Sequence, residues 1–158
     1  MKKTLFIGFC LLLLSGCTVK PQITTSEPYL ISIKNAQMAI SDTGFVNFGA
    51  NYANVQIFSA GAVLFNLEVS DEVCVDGRCT SREQFNKLFF NNEHYATLID
   101  DVLNMLPIYQ FRNIVRLENG FKQEIILPKS HILYHVVNHS VTFRDNLNGV
   151  MIKLKPLH

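Results

Sequence analysis

From residue 29 onward the chain alternates apolar and polar side chains with a period of two. In "AVLFNLEVS", Val63, Phe65, Leu67 and Val69 share one face, with Leu64, Asn66 and Glu68 on the other. Further on, Phe121, Ile125 and Leu127 oppose Lys122 and Glu124, and Val141 and Phe143 oppose Thr142 and Arg144. In the last such run, Val150, Ile152 and Leu154 oppose Lys153 and Lys155. Alternation of this kind predicts antiparallel strands with one wet and one dry face. The middle of the chain changes period. Thr80 or Ser81, with Glu83 or Gln84 three residues on, reads as a capping box, and Phe85, Leu88 and Phe89 follow at helical spacing. Tyr95, Leu98, Ile99, Val102, Leu103 and Leu106 form a second helical stripe, which Pro107 ends. Strands, two helices over residues 81–106, then strands predict an α+β fold. The economical architecture is a curved antiparallel β-sheet, half-barrel-like, with two helices packed on its concave face.

The first residues obey a different rule. Lys2 and Lys3 precede an apolar run from Leu5 to Leu14. It falls short of the roughly 20 residues a spanning helix needs and reads as a cleaved export signal. The run ends in Leu14-Ser15-Gly16-Cys17, which resembles the lipobox of bacterial lipoproteins. That resemblance implies cleavage before Cys17, lipid on its sulfur and acylation of its new amino group. Thr18 stands where an Asp commonly marks inner-membrane retention, so the resemblance implies an outer-membrane, periplasm-facing anchor. The expected organisation is a signal peptide over 1–16, a lipidated Cys17 with a proline-containing flexible tether through 28, and a single domain over 29–158.

Export decides the chemistry of the cysteines. Cleavage removes Cys10 and lipid occupies Cys17, which leaves Cys74 and Cys79 in an oxidising compartment. Asp76-Gly77 between them is a two-residue hairpin signal, because a type I′ turn needs positive φ at both positions. With that turn Cys74 faces Cys79 across the ladder, and a disulfide pinning a hairpin is expected. A zinc site lacks a second ligand pair, and a thioredoxin-like motif wants two residues between the cysteines, not four.

Composition narrows the function classes. Without Lys2 and Lys3 the chain carries 12 basic and 13 acidic residues, and neither sign clusters along the sequence. This argues against nucleic acid and against a polybasic membrane patch. His131, His135 and His139 recur every four residues, but the segment reads as a strand, where His131 and His135 lie roughly 13 Å apart. No metal and no cofactor are expected. No Gly-x-Ser-x-Gly elbow is present, Ser59 and Ser130 sit in turn-like contexts, and adjacent Asp100 and Asp101 point to different helix faces. No enzyme activity is expected. Twelve Phe in the chain, ten of them in the domain over 29–158, instead suggest an apolar groove as a ligand site.

The order of elements resembles the LolB/LolA-type lipoprotein-receptor family. The resemblance runs through Leu106-Pro107 after the helical stripe and "GFKQEI" with Phe121 and Gln123. It continues through Ile132 to Val136 around Tyr134 and the closing "GVMIKLKPL". It implies a membrane-anchored lipoprotein that binds acyl chains in an apolar cavity and accepts and inserts lipoproteins at the outer membrane. Its partners would be acylated lipoproteins and a periplasmic carrier. Ile57, Phe65, Leu67, Leu98, Val102, Phe121 and Phe143 would line the cavity, and Phe45 and Phe48 in "GFVNFG" would be the membrane-engaging loop. The competing expectation is a non-enzymatic scaffold lipoprotein that binds a protein partner in envelope assembly. It predicts a filled core and an exposed apolar patch or sheet edge.

Overall fold

The computed structural model describes residues 22–157. Their elements are β1 (Ile23–Lys34), β2 (Ala39–Gly49), β3 (Tyr52–Ser59), β4 (Ala62–Val69), β5 (Val73–Val75) and β6 (Arg78–Thr80), then α1 (Arg82–Phe89) and α2 (Leu98–Leu103). After them come β7 (Ile114–Leu117), β8 (Gly120–Leu127), β9 (Ser130–Val137), β10 (Ser140–Asp145) and β11 (Val150–Pro156). All eleven strands form one open antiparallel sheet in the order β6-β5-β4-β3-β2-β1-β11-β10-β9-β8-β7. Nine of its ten neighbouring pairs are sequence-adjacent hairpins, and the tenth is the seam of β1 against β11, with Ile31 opposite Leu154. Because β6 and β7 are the two edges, the segment carrying α1 and α2 must take the chain from one edge of the sheet to the other.

The period-two pattern became strands as expected. Tyr29, Ile31, Ile33, Val55, Ile57, Phe65, Leu67, Ile125, Ile132, Phe143, Ile152 and Leu154 are buried, and they share one cluster with Phe85, Phe89, Phe90, Leu98, Ile99, Val102 and Leu103 of the helical segment. Phe90 meets Phe143 edge-on at 5.5 Å between ring centres. On the other face a side-chain amide ladder ties three strands. Asn47 Nδ2 donates to Asn54 Oδ1 (2.8 Å), Asn54 Nδ2 to Asn66 Oδ1 (2.7 Å), and Asn66 Nδ2 to Glu68 Oε1 (2.7 Å).

Three boundaries differ from the expectation. The tether over 17–28 is too long, because β1 starts at Ile23. Residues 23–28 are exposed on both faces and pair with β2 alone, so no alternation advertises them. The signal peptide and Cys17 lie outside the described residues. The second helix is shorter than its stripe: Met105 adopts a left-handed φ of 59°, and Leu106 N donates back to Asp101 O, so the helix stops at Leu103, four residues before Pro107. Val63 does not share the dry face of Phe65, because the register of β3 and β4 shifts between Ile57 and Phe58 and leaves Val63 exposed.

Candidate functional site

The site to judge is the apolar layer between sheet and helices. α1 begins at the expected cap, with Ser81 Oγ accepting from Gln84 N at 3.2 Å, the forward half of a capping box. The helical layer is then held by a short set of polar pins. The Arg82 guanidinium bridges the Asp100 carboxylate of α2 and the Ser70 carbonyl beyond β4. Asn86, fully buried, donates to the carbonyls of His94 (3.1 Å) and Tyr95 (3.1 Å), fixing the α1–α2 connection. Asn92 reaches Ser130 Oγ of β9 at 2.6 Å. Gln123, buried in β8, takes a hydrogen bond from Ile108 N (2.8 Å) and donates to Ile108 O (2.9 Å) and Arg112 O (2.7 Å). That amide clamps a strained loop: Tyr109, Gln110 and Phe111 have φ of 49°, 53° and 65°, a conformation uncommon for residues other than glycine.

Beside this layer sits a half-buried cluster of polar side chains. His94 Nδ1 and Tyr109 Oη are 2.6 Å apart, and His94 Nε2 is buried without a hydrogen-bond partner among the described residues. Burial lowers the His94 pKa, with the Asp145 carboxylate pulling the other way. Burial, reinforced by Asp145, raises the Tyr109 hydroxyl to about 12. Tyr95 Oη donates to Asp101 Oδ2 at 2.8 Å. Burial pushes the Asp101 carboxyl upward, the Tyr95 hydrogen bond opposes that, and Asp100 adds to it. For Asp145, burial is outweighed by hydrogen bonds from Asn148, Ser130 and the His131 backbone, and its pKa is lowered. Tyr109 reaches His94 only through the left-handed turn, so local spacing does not announce the pair.

All seven residues expected to line the cavity are brought together, and all seven are buried in the one cluster. None of them borders a surface cleft among the described ones. Two clefts open where the helical segment meets the sheet. One, of about 440 Å³, lies between the β1–β2 turn, the β5–β6 hairpin and α1, with Met38, Val75, Phe85 and Phe89 on its walls. The other, of about 200 Å³, is bounded by Tyr29, Phe48, Leu103 and Met105.

Phe45 and Phe48 do not form a loop. Both lie within β2, where Phe45 packs edge-on against Phe58 at 5.9 Å and Phe48 packs against the core. Gly44 belongs to the same stretch for a steric reason: a Cβ there would stand 2.0 Å from the Gln56 carbonyl oxygen. The exposed apolar tip is instead the β3–β4 turn, where Val63 is 51% and Leu64 52% exposed beside Ala60, Gly61 and Ala62. Cys74 and Cys79 are disulfide-bonded and stand opposite each other in the β5–β6 ladder, with Asp76 and Gly77 at φ 49° and 79° as a type I′ turn requires. His131 and His135 sit on the wet face of β9; His131 Nε2 lies 2.8 Å from Glu124 Oε1. His139 lies in the β9–β10 turn.

These features define the chain structurally as an α+β domain on a single eleven-stranded open antiparallel sheet. No protein-family model matches the chain, and no curated protein matches it.

Proposed function

We propose that the chain is an outer-membrane lipoprotein without enzymatic activity, anchored through Cys17, which takes up acyl chains between its sheet and its helices in the manner of LolB. In this reading the sheet curls as a half-barrel and the helices lie on its concave face. One observation carries it: Arg82 and Phe90, at the two ends of α1 and about 12 Å apart along it, reach the Ser70 carbonyl after β4 and the ring of Phe143 in β10. In a flat sheet β4 and β10 would stand five strand spacings, about 24 Å, apart, so these contacts favour a curled sheet. The layer the helices make is apolar towards the sheet and attached by few polar pins, which fits a cover that lifts. The described conformation is then the closed one, and the clefts beside Phe85 and Leu103 mark where a chain would enter. Each methylene buried contributes about 0.8 kcal/mol, and a carrier's cargo would pass on to the bilayer as the deeper sink. The β3–β4 tip, with Val63 and Leu64, takes the membrane-engaging role first expected of Phe45 and Phe48.

A second reading, the scaffold that binds a protein partner, is favoured by the tight packing of all seven cavity residues and by exposed Ile126 and Leu133 on the opposite face. Native mass spectrometry separates the two. The unlipidated mature chain, residues 17–158 with Cys17→Ser, is incubated with a triacylated lipopeptide or its non-acylated counterpart. Retention of the acylated peptide alone, lost in a folded Leu98→Asp variant, is the expected result. Equal or no retention by a folded chain would move the assignment to the scaffold.

A further inference from the structure

The cations, scattered along the sequence, are gathered by the fold. On the face of β1 and β8–β11 that points away from the core, the outward positions carry Lys34, Lys122, Arg144, Lys153 and Lys155, against one carboxylate, Glu124. Glu124 is engaged by His131, whereas Lys122, Arg144 and Lys153 have no acidic partner among the described residues. The register puts Lys122, His135, Thr142 and Lys153 in one row across four neighbouring strands, a span of about 14 Å. Lys122, His135, Arg144 and Lys153 line a shallow depression of about 850 Å³, and Val115, Ile126 and Leu133 form its apolar side. Lys122, Arg144 and Lys153 without acidic partners among the described residues, beside exposed aliphatic side chains, are complementary to an anionic head group with the first carbons of its tail.

We propose that this face docks on a membrane surface through anionic phospholipid. Cys17 precedes Ile23 by six residues, a reach of at most about 21 Å, and β1 pairs with β11 from Tyr29 on, where Leu30 faces Lys155 and Ser32 faces Lys153, about 23 to 30 Å along the strand from Ile23. A chain tethered there holds the basic face within range of the lipids of its own leaflet. Each cation near an anionic surface strengthens binding roughly fivefold, so Lys122, Arg144 and Lys153 together supply on the order of 100-fold. The inference takes from the proposed function only the membrane. Because the test omits the anchor and the acylated cargo, its failure leaves acyl-chain uptake standing, and the converse holds.

The test uses the unlipidated mature chain with vesicles of phosphatidylcholine alone or with about one third phosphatidylglycerol. Flotation is combined with mass-spectrometric mapping of lysine acylation. The expected result is binding at least tenfold stronger to the phosphatidylglycerol vesicles and weakened by about 0.5 M salt, where screening is short-ranged. Lys122 and Lys153 become protected from acylation there, while Lys87 on α1 does not. The variant K122Q/R144Q/K153Q is expected to lose the preference with an unchanged Tm. If it does not fold, protection at Lys122 and Lys153 in the unsubstituted chain decides alone. Equal binding to both vesicle types, or protection of Lys87 in place of Lys122 and Lys153, would overturn the proposal.

Discussion

Asn86 shows how one buried amide can hold an element that the apolar layer alone would leave loose. Its two N–H bonds go to carbonyls of the connection between α1 and α2, and no other side chain donates to them. Replacing it with Ala leaves the His94 carbonyl without a donor, while the Tyr95 carbonyl keeps its bond from Leu98 N, at a cost of about 2 kcal/mol. Asn86→Ala is therefore expected to lower the urea midpoint substantially, as followed by far-UV circular dichroism, while Asn104→Ala, at an exposed position, leaves it nearly unchanged. Gln123 works by the same logic at the opposite side of the layer, since its amide copies a backbone pairing to Ile108 and so holds Tyr109–Phe111 in a left-handed conformation. Its polar side chain on the dry face of β8 is an exception to alternation, and the exception marks the place where the sheet grips the loop.

Among the elements, the β5–β6 hairpin is the one stapled covalently. It is also docked without the staple: Asn66 N donates to Asp76 Oδ1 at 2.8 Å and Asp76 N to Asn66 O at 2.8 Å. The ring closed by Cys74 and Cys79 is small, and the loop-entropy account assigns it about 2 kcal/mol. The double variant Cys74→Ser/Cys79→Ser is expected to fold and to lose no more than that in thermal unfolding. A variant that fails to fold would mean that the hairpin's register depends on the bond. The hairpin, the wet and dry faces of β8–β11 and the existence of two helices were legible in the sequence, because each is written in local spacing. What was not legible depended on information held elsewhere in the chain. The first half of β1 has no dry face and so no period; the end of α2 rests on a left-handed Met105, which no residue type announces; and the cationic face exists only once register aligns Lys122 with Lys153 across β9 and β10. The partner of His94 was hidden for the same reason, fifteen residues away across a strained turn.

For the whole molecule, His94 couples packing to pH. Its folded pKa is lowered, so the folded state binds the proton less readily than the unfolded chain. The stabilisation is fully present above the unfolded histidine value of about 6.5 and is lost as pH falls through the folded value. The imidazolium carries an N–H on both ring nitrogens, and at Nε2 no acceptor stands among the described residues. Thermal midpoints are expected to fall between about pH 7.5 and 5.5, and His94→Gln is expected to flatten that slope; an unchanged slope would remove His94 as its source. Asp145, whose pKa is also lowered, acts in the same direction but further down, in the carboxylate range. The topology has a separate effect, on the order in which the molecule assembles. The two halves, β1–β6 and β7–β11, are meanders of local hairpins, but the seam joins Tyr29 to Pro156, the first strand to the last. Loop closure over that separation delays folding more than any hairpin does, and until β11 has emerged, β1 and β10 both remain open edges. A chain synthesised N-terminus first therefore keeps the β11-facing edge of β1 open until its last strand arrives, although β2 already covers the other edge, and for that interval it is exposed to edge-to-edge association.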